Sequence, residues 1–148
     1  MVKKHSPKTI LIIEDEVDIL NFIARVLELE GYQVLKAGDG KIGMKMIRGQ
    51  PVALVLLDLR LPGPDGWSIL REIKRNSEFS KIPVVVLTAI AESTQRKKTL
   101  RMGAVRYLIK PLSAHSLSQT ITEILHQKGE RFKVAEKTAA VNNNPSLL

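Results

Sequence analysis

The stretch from Ala53 to Gly66, ALVLLDLRLPGPDG, constrains the fold more than any other part of the chain. It opens with five apolar residues, the pattern of a short strand that is buried on both faces of a parallel sheet. Two prolines and two glycines follow Asp58 within eight positions, and these residues require a loop. The pattern therefore predicts that Asp58 stands at the carboxyl end of a central strand, where open α/β sheets bind their ligands. An isolated aspartate there would more often only cap the next helix, so its role depends on the other strand ends.

The rest of the chain alternates between strand patterns and amphipathic helix patterns. Strands are predicted at residues 9–13, 53–58, 83–87 and 105–109, with a more polar edge strand at 33–37. After each strand, apolar residues recur at helical spacing until a glycine or a polar loop ends the pattern. Right-handed crossovers between consecutive parallel strands place helices on both sides of the sheet. The predicted fold is α/β, a doubly wound (βα)5 arrangement with a five-stranded parallel sheet.

The composition excludes several classes of protein. The chain of 148 residues contains no cysteine, so disulfide frameworks and thiolate metal sites are excluded. Its longest apolar runs have the length of a strand rather than of a membrane span. No apolar segment follows the basic N-terminus as a secretory signal would require. We therefore expect a soluble protein of the cytoplasm.

The net charge of +8 is distributed unevenly along the sequence. We expect a basic N-terminal extension at residues 1–8, one folded domain at residues 9–128 and a flexible tail at residues 129–148. The basic residues of the folded domain concentrate in and after the fourth predicted helix. They are Arg96, Lys97, Lys98, Arg101 and Arg106. They lack the interleaved aromatic residues of single-strand binders, and we expect no direct contact with nucleic acid.

Polar residues follow the ends of four predicted strands. Glu14 and Asp15 come after the first strand, Asp58 ends the third, Thr88 follows the fourth and Lys110 the fifth. Because the carboxyl ends of parallel strands lie at one edge of the sheet, we expect these side chains to converge. Oxygen ligands without histidine or cysteine favour Mg²⁺ over zinc, and Mg²⁺ is usually bound by one or two carboxylates together with a phosphate. The lysine and the threonine would contact phosphate oxygens, and the carboxylate of Asp58 would accept a phosphoryl group as an acyl phosphate.

Four motifs give the chain a family resemblance: IIEDE, LLDLRLPGPDG, VVLTA and YLIKP, each at a predicted strand end. With these motifs the chain closely resembles the receiver domain of two-component response regulators, in particular the single-domain, chemotaxis-regulator-like members. The resemblance covers residues 9–128 and implies a flavodoxin-like sheet with the strand order 2-1-3-4-5. Each motif is weak alone, but four motifs in the right order at the right strand ends are specific.

The resemblance also implies a function. A receiver domain takes a phosphoryl group from the phosphohistidine of a sensor histidine kinase or His-phosphotransfer protein, and it catalyses its own phosphorylation and dephosphorylation rather than converting a separate substrate. Asp58 would be the phosphoacceptor. Asp15, Asp58 and the backbone carbonyl of Arg60 would bind Mg²⁺, and Glu14 would assist through water. Glu14 departs from the family pattern, in which aspartate is commoner at this position.

Three further residues receive roles from the same resemblance. Thr88 and Lys110 would contact the phosphoryl group, and Tyr107 matches the switch aromatic of the family. A new phosphoryl group would attract the Thr88 hydroxyl and leave space into which Tyr107 rotates. This change would alter the face formed by the fourth helix, fifth strand and fifth helix, which we expect to bind a downstream protein. The Lys110–Pro111 bond is expected to be cis.

Other interpretations of the sequence stay open at this stage. Residues 38–43, GDGKIG, match the GxGxxG dinucleotide motif, although they follow a strand with the polar character of an edge strand. A phosphatase with an aspartyl nucleophile would need a second aspartate two residues after Asp58, where the chain has Arg60. The chain could also be the receiver fragment of a longer DNA-binding regulator. We interpret it as a single-domain response regulator, because too few residues follow the last predicted helix to form an output domain.

Overall fold

Five parallel strands alternate with five helices in the computed structural model, which describes residues 6–126. The strands are β1 (Thr9–Ile13), β2 (Gln33–Ala37), β3 (Leu54–Asp58), β4 (Val84–Thr88) and β5 (Arg106–Ile109). The helices are α1 (Val17–Leu29), α2 (Gly40–Gly49), α3 (Gly66–Arg75), α4 (Ser93–Arg101) and α5 (Ala114–His126). None of these helices combines the length and the apolar character that crossing a membrane demands. The tail expected at residues 129–148 and the first five residues of the basic extension lie outside the described residues.

The strand order is β2-β1-β3-β4-β5, and all neighbouring strands are parallel, which confirms the predicted fold. Both β3 and β4 are buried along their whole length, whereas β2 is largely accessible and lies at the edge of the sheet. The chain passes from β2 across β1 to reach β3, so the direction of winding reverses between β1 and β3. A reversal of this kind opens a crevice at the carboxyl ends of the two strands, and Asp58 ends one of them.

Alternate strand residues divide the core into two layers. In β1, Leu11 and Ile13 pack with residues of α2 and α3, whereas Ile10 and Ile12 pack with residues of α1 and α5. Strands buried on both faces need apolar residues at every position, which explains the continuous apolar runs in the sequence. The segment after α4 contributes Ala104 to the first layer, so α4 covers the same face as α2 and α3.

Most predicted element boundaries agree with the structure to within about one or two residues, as expected for helix and strand ends. Gly31 and Gly103 follow α1 and α4 with φ values of 94° and 110°, in the left-handed region that glycine tolerates best. Asp39 and Asp65 cap α2 and α3 by accepting hydrogen bonds from the backbone amides of Ile42 and Ser68, the third residue of each helix. The strand β4 begins at Val84 rather than at Pro83, because proline has no amide to donate to the neighbouring strand.

Gly66, the first residue of α3, packs directly on the backbone that follows β3. A Cβ atom at this position would lie 2.4 Å from the carbonyl oxygen of Asp58 and 2.4 Å from the Cα of Leu59. The amide of Gly66 also donates to the carbonyl of Leu59, at 3.1 Å. The glycine therefore allows the start of α3 to hold the backbone that carries Asp58.

We predict that Gly66→Ala destabilises the protein by about 1–3 kcal/mol, because the added methyl group meets backbone that cannot move freely. Gly49→Ala is the matched control, since a Cβ at Gly49 has no neighbour within 4 Å and alanine favours the helix. The measurement is urea unfolding of both variants against the wild type. Equal stabilities of the two variants would contradict this interpretation of Gly66.

Candidate functional site

Three carboxylates meet at the crevice between β1 and β3. Glu14 and Asp15 directly follow β1, Asp58 ends β3, and these two strands are hydrogen-bonded neighbours. One carboxylate oxygen from each of the three residues lies within 4.8 Å of the other two. Glu14 is fully buried and Asp58 is 2% exposed, whereas Asp15 is open to solvent. The cluster therefore has a dry inner part and one accessible side.

Lys110 supplies positive charge to this cluster from the end of β5. Its Nζ lies 2.7 Å from Oε1 of Glu14 and 3.4 Å from Oδ2 of Asp58, with Oε1 of Glu16 at 3.9 Å. The backbone amide of Lys110 donates to the carbonyl of Thr88 at 2.8 Å, which continues the β4–β5 pairing and fixes the start of the side chain. The Lys110–Pro111 bond is cis, as expected.

Burial dominates the electrostatics of Glu14. It raises the pKa of this carboxyl from 4.5 to about 7, and the nearby charge of Asp58 adds to the increase. The Lys110 ammonium and the amide of Glu16, which donates to Oε2 at 3.1 Å, lower the pKa by less. Within the described part of the chain, Oε1 of Glu14 thus depends on the Lys110 ammonium, 2.7 Å away, for its polar contact.

The pKa of Lys110 shifts in the direction that keeps it charged. Burial alone would lower this pKa, but the contact with Glu14 and the negative charge of Asp58 outweigh burial and raise it. Three carboxylates nevertheless face a single ammonium in this cluster. A further cation would balance the charge. The all-oxygen donor set of these three carboxylates fits a hard divalent ion such as Mg²⁺.

The two carboxylate oxygens of Asp58 have different neighbours. The amide of Arg60 donates to Oδ1 at 3.0 Å, and Oδ2 faces the ammonium of Lys110. These contacts hold the carboxylate at the end of a rigid, buried strand and leave it oriented toward the basic and acidic groups of the crevice. A carboxylate fixed in this way can act as a nucleophile toward a phosphoryl group that the neighbouring cation neutralises.

Thr88 and Tyr107 are linked through one loop residue. Thr88 is fully buried at the end of β4, and its hydroxyl oxygen accepts a hydrogen bond from the amide of Ile90 at 3.1 Å. The hydroxyl of half-buried Tyr107 donates to the carbonyl of the same Ile90. Burial raises the pKa of Tyr107, and the nearby Thr88 hydroxyl partly opposes that increase. The loop between β4 and α4 is therefore bonded to both residues.

The structure brings together Glu14, Asp15, Asp58 and Lys110, with Thr88 at the end of β4 between β3 and β5. The sequence interpretation missed three contributions to this arrangement. They come from Glu16, whose amide bonds Glu14, from Ile90, whose backbone joins Thr88 to Tyr107, and from Gly66 beneath Asp58. Of these three, only Gly66 could have been found from the sequence, through the LPGPDG motif. A glycine that opens a helix directly after a strand end suggests close backbone packing.

The glycines of the GxGxxG match have a packing role. A Cβ at Gly40 would lie 2.6 Å from Ile69, and a Cβ at Gly43 would lie 2.5 Å from Ile13. These glycines let α2 approach α3 and the sheet closely. The motif follows the edge strand β2, whereas dinucleotides bind where the strand order reverses, at central strands. The structure thus argues against a dinucleotide site here.

Comparisons with known proteins agree with this geometry. The family model of the response regulator receiver domain matches residues 10–122. The phosphate regulon transcriptional regulatory protein PhoB of Pseudomonas aeruginosa is 36% identical over 122 residues, which cover 82% of this chain and 53% of PhoB. Protein PilH of the same species is 34% identical over 116 residues, which cover 78% of this chain and 96% of PilH. The chain spans about half the length of the first curated relatives that it matches.

A solved structure with the same fold contains a magnesium ion. It is the receiver domain of the sensor histidine kinase PA1611 from Pseudomonas aeruginosa PAO1, with a magnesium ion coordinated in the active site cleft. The sequences are 30% identical and the TM-score is 0.74, over 80% of this chain and 98% of that chain.

We predict that the metal-free protein loses stability between pH 5 and pH 8 because of Glu14. The folded-state pKa of about 7 lies above the ordinary 4.5, so the folded state binds this proton more tightly than the unfolded state. The free energy of unfolding begins to fall as pH rises above 4.5, and the fall is complete above the folded-state pKa of about 7. It amounts to about 3 kcal/mol at most. Urea unfolding of wild type and Glu14→Gln in chelator should show a smaller decrease for the variant.

Glu28→Gln is the control for that experiment, because Glu28 is exposed on α1 and its neutralisation should not alter the decrease. Identical pH dependence of wild type and Glu14→Gln would show that burial of Glu14 is not the cause.

Proposed function

Because the chain belongs to the response regulator receiver domain family, we propose that it is a phosphoacceptor of two-component signalling that takes a phosphoryl group from phosphohistidine onto Asp58. The observation that carries the proposal is the position of Asp58. Its carboxylate is buried at a central strand end, 3.4 Å from the Lys110 ammonium, and it shares a cluster with two other acids. The protein would catalyse its own phosphorylation and dephosphorylation, with no separate substrate to convert.

The acidic cluster would hold the Mg²⁺ ion that this chemistry uses. Asp15 and Asp58 would bind the ion directly with the backbone carbonyl of Arg60, and Glu14 would contribute through water. When bound, Mg²⁺ supplies positive charge that offsets the charge on the phosphoryl oxygens during transfer. The proximity of the three carboxylates supports this assignment, as does their excess of negative charge over the single ammonium of Lys110.

In the transfer itself, a carboxylate oxygen of Asp58 attacks the phosphorus of the donor's phosphohistidine. The new P–O bond forms as the P–N bond breaks, and the electron pair of that bond stays with the imidazole nitrogen. Lys110 and the Thr88 hydroxyl would bind phosphoryl oxygens, because both flank Asp58 at the same sheet edge. Later attack of water on phosphorus releases inorganic phosphate and restores the carboxylate.

Phosphorylation would switch the surface near α4 through the loop that contains Ile90. The phosphoryl group would draw the Thr88 hydroxyl toward Asp58, and the Ile90 amide that now bonds this hydroxyl would follow it or lose its bond. Tyr107 is bonded to the carbonyl of Ile90, so its side chain would move with the loop. This linked movement supports the α4–β5–α5 face as the surface that a downstream protein binds.

The phosphohistidine donor would dock beside Lys110. A groove of about 250 Å³ runs between α1 and the segment after β5, and Ile19, Phe22, Pro111 and Leu112 line most of it. Phe22 is 41% exposed although it is aromatic. A kinase or His-phosphotransfer protein that covered this groove would bury apolar surface next to the phosphoacceptor, and its histidine would then reach Asp58.

The output after phosphorylation has two candidate routes. A single-domain regulator would pass the signal to another protein by contact. Alternatively, the chain is the receiver part of a longer DNA-binding regulator, as the half-length match to transcriptional regulators such as PhoB suggests. A cytoplasmic location stays a prediction.

We predict that acetyl phosphate with Mg²⁺ adds one phosphoryl group, about 80 Da by intact mass, to the wild type but not to Asp58→Asn. Asp65→Asn is the matched control and should be labelled normally, because Asp65 is an exposed helix cap and asparagine caps equally well. Chelation of Mg²⁺ should abolish labelling. Equal labelling of Asp58→Asn would refute the assignment of the phosphoacceptor.

We also predict that Phe22→Ala separates protein donors from small donors. Transfer from a phosphohistidine protein that labels the wild type should slow about tenfold, since a central aromatic contact is lost. Labelling by acetyl phosphate should be unchanged. Leu29→Ala is the control, because Leu29 is an exposed apolar residue at the opposite end of α1. Equal slowing with both donors would place the effect of Phe22 on the site rather than on docking.

A further inference from the structure

The two faces of the sheet carry opposite charge. The helices of one face, α2, α3 and α4, contain ten lysine and arginine residues and a single acidic residue, Glu72. The helices of the other face contain three acidic residues, Asp18, Glu28 and Glu123, against one basic residue, Arg25. We refer to the exposed surface of α2, α3 and α4 as the basic face. Its charge does not follow from the phosphoacceptor site, which lies at the edge shared by both faces.

Only two of the ten cations form an ion pair or a hydrogen bond through their side chains in the described part of the chain. Arg48 on α2 forms an ion pair of 2.8 Å with Glu72 on α3. Lys74 donates to the carbonyls of Ser80 and Ile82 at 2.9 and 2.7 Å, and so anchors the loop after α3. The other eight form no ion pair within residues 6–126. No ion pair in this part of the chain therefore offsets the charge of these eight residues.

The repulsion is most concentrated on α4, which is also the helix with the fewest buried residues. Only Thr99 of this helix is fully buried. Lys97 and Arg101 stand one helical turn apart, where like charges destabilise a helix. Lys98 lies 4.4 Å from the ring centroid of Trp67 on α3, so its charge reaches across to the neighbouring helix. An anionic partner would relieve this repulsion and stabilise α4.

Apolar residues among the cations favour a protein over a nucleic acid as that partner. Ile42 on α2 is 44% exposed and Leu100 on α4 is 40% exposed. Contacts to nucleic-acid phosphates use charged and polar groups, whereas protein interfaces combine apolar contacts with arginine and aromatic residues. The buried residues of α2 and α3 pack against the sheet, so neither helix projects as a helix that enters a major groove must.

From these observations we propose that the basic face binds an acidic segment of a partner protein, and that this segment carries aliphatic side chains beside its carboxylates. Its carboxylates pair with the free cations of α2, α3 and α4, and its aliphatic groups cover Ile42 and Leu100. This surface shares α4 with the expected output face but extends over α2 and α3 instead of β5 and α5. The test uses the unphosphorylated protein, so its outcome is independent of the assignment of Asp58 as the phosphoacceptor.

The test uses a fluorescently labelled helical peptide of glutamate and leucine, with anisotropy to measure its affinity for the protein. The variant is Arg71→Glu/Lys97→Glu/Arg101→Glu, which reverses charge at three exposed positions on α3 and α4. Arg25→Glu on α1 is the matched control for charge reversal on the other face. Circular dichroism verifies that each variant is folded, and the milder Lys97→Gln/Arg101→Gln variant replaces the first if it is not. Trp67, the sole tryptophan, reports binding near α3 and α4.

We expect the triple variant to bind the peptide at least about tenfold more weakly, and Arg25→Glu to stay within about twofold of the wild type. Replacement of the peptide's leucines by serine should also weaken binding. Two results would overturn the proposal. One is equal loss of affinity in Arg25→Glu and the triple variant. The other is tighter binding of a DNA duplex or of phosphatidylserine vesicles than of the peptide, at matched charge concentration and ionic strength.

Discussion

The ion pairs of Lys110 with Glu14 and Asp58 are the contacts on which the rest of the site depends. Lys110 follows β5, and β4 lies between that strand and β3, so its ammonium must reach across the end of β4 to meet the acids. A long flexible stem with a compact charge suits this role, which a shorter or branched cation could not fill. Without the ammonium, burial and the nearby charge of Asp58 would raise the pKa of Glu14 further.

The position of the site at one sheet edge separates its two proposed kinds of partner. The apolar groove beside Lys110 belongs to α1 and the segment after β5, on the side of the sheet with the acidic helices. The basic face lies on the opposite side, on α2, α3 and α4. A phosphodonor in the groove and an acidic segment on the basic face would therefore not collide. Because the two faces carry opposite charge, the partner of one face would bind the other face only weakly.

Much of the fold was predictable from the sequence because its physics is local. Continuous apolar runs such as LVLLD predicted buried parallel strands, and the glycine after α1 predicted its end. The convergence of Glu14, Asp58 and Lys110 followed from strand topology alone. The contacts that the sequence did not predict depend on how the loops fold back on the strands. The link from Thr88 to Tyr107 uses the backbone of Ile90, and backbone groups are the same for every residue type.

That backbone link explains how a buried chemical change could reach the surface. Thr88 sits in a rigid strand, but the oxygen of its hydroxyl accepts from the amide of Ile90 in the following loop. Rotation of the Thr88 side chain about one bond would redirect that oxygen. The loop would then either move with the hydroxyl or lose this hydrogen bond. The helix that begins after this loop, α4, has only Thr99 fully buried and carries unpaired positive charge. Because so few of its residues are buried, α4 can follow a small displacement of the loop at low energetic cost.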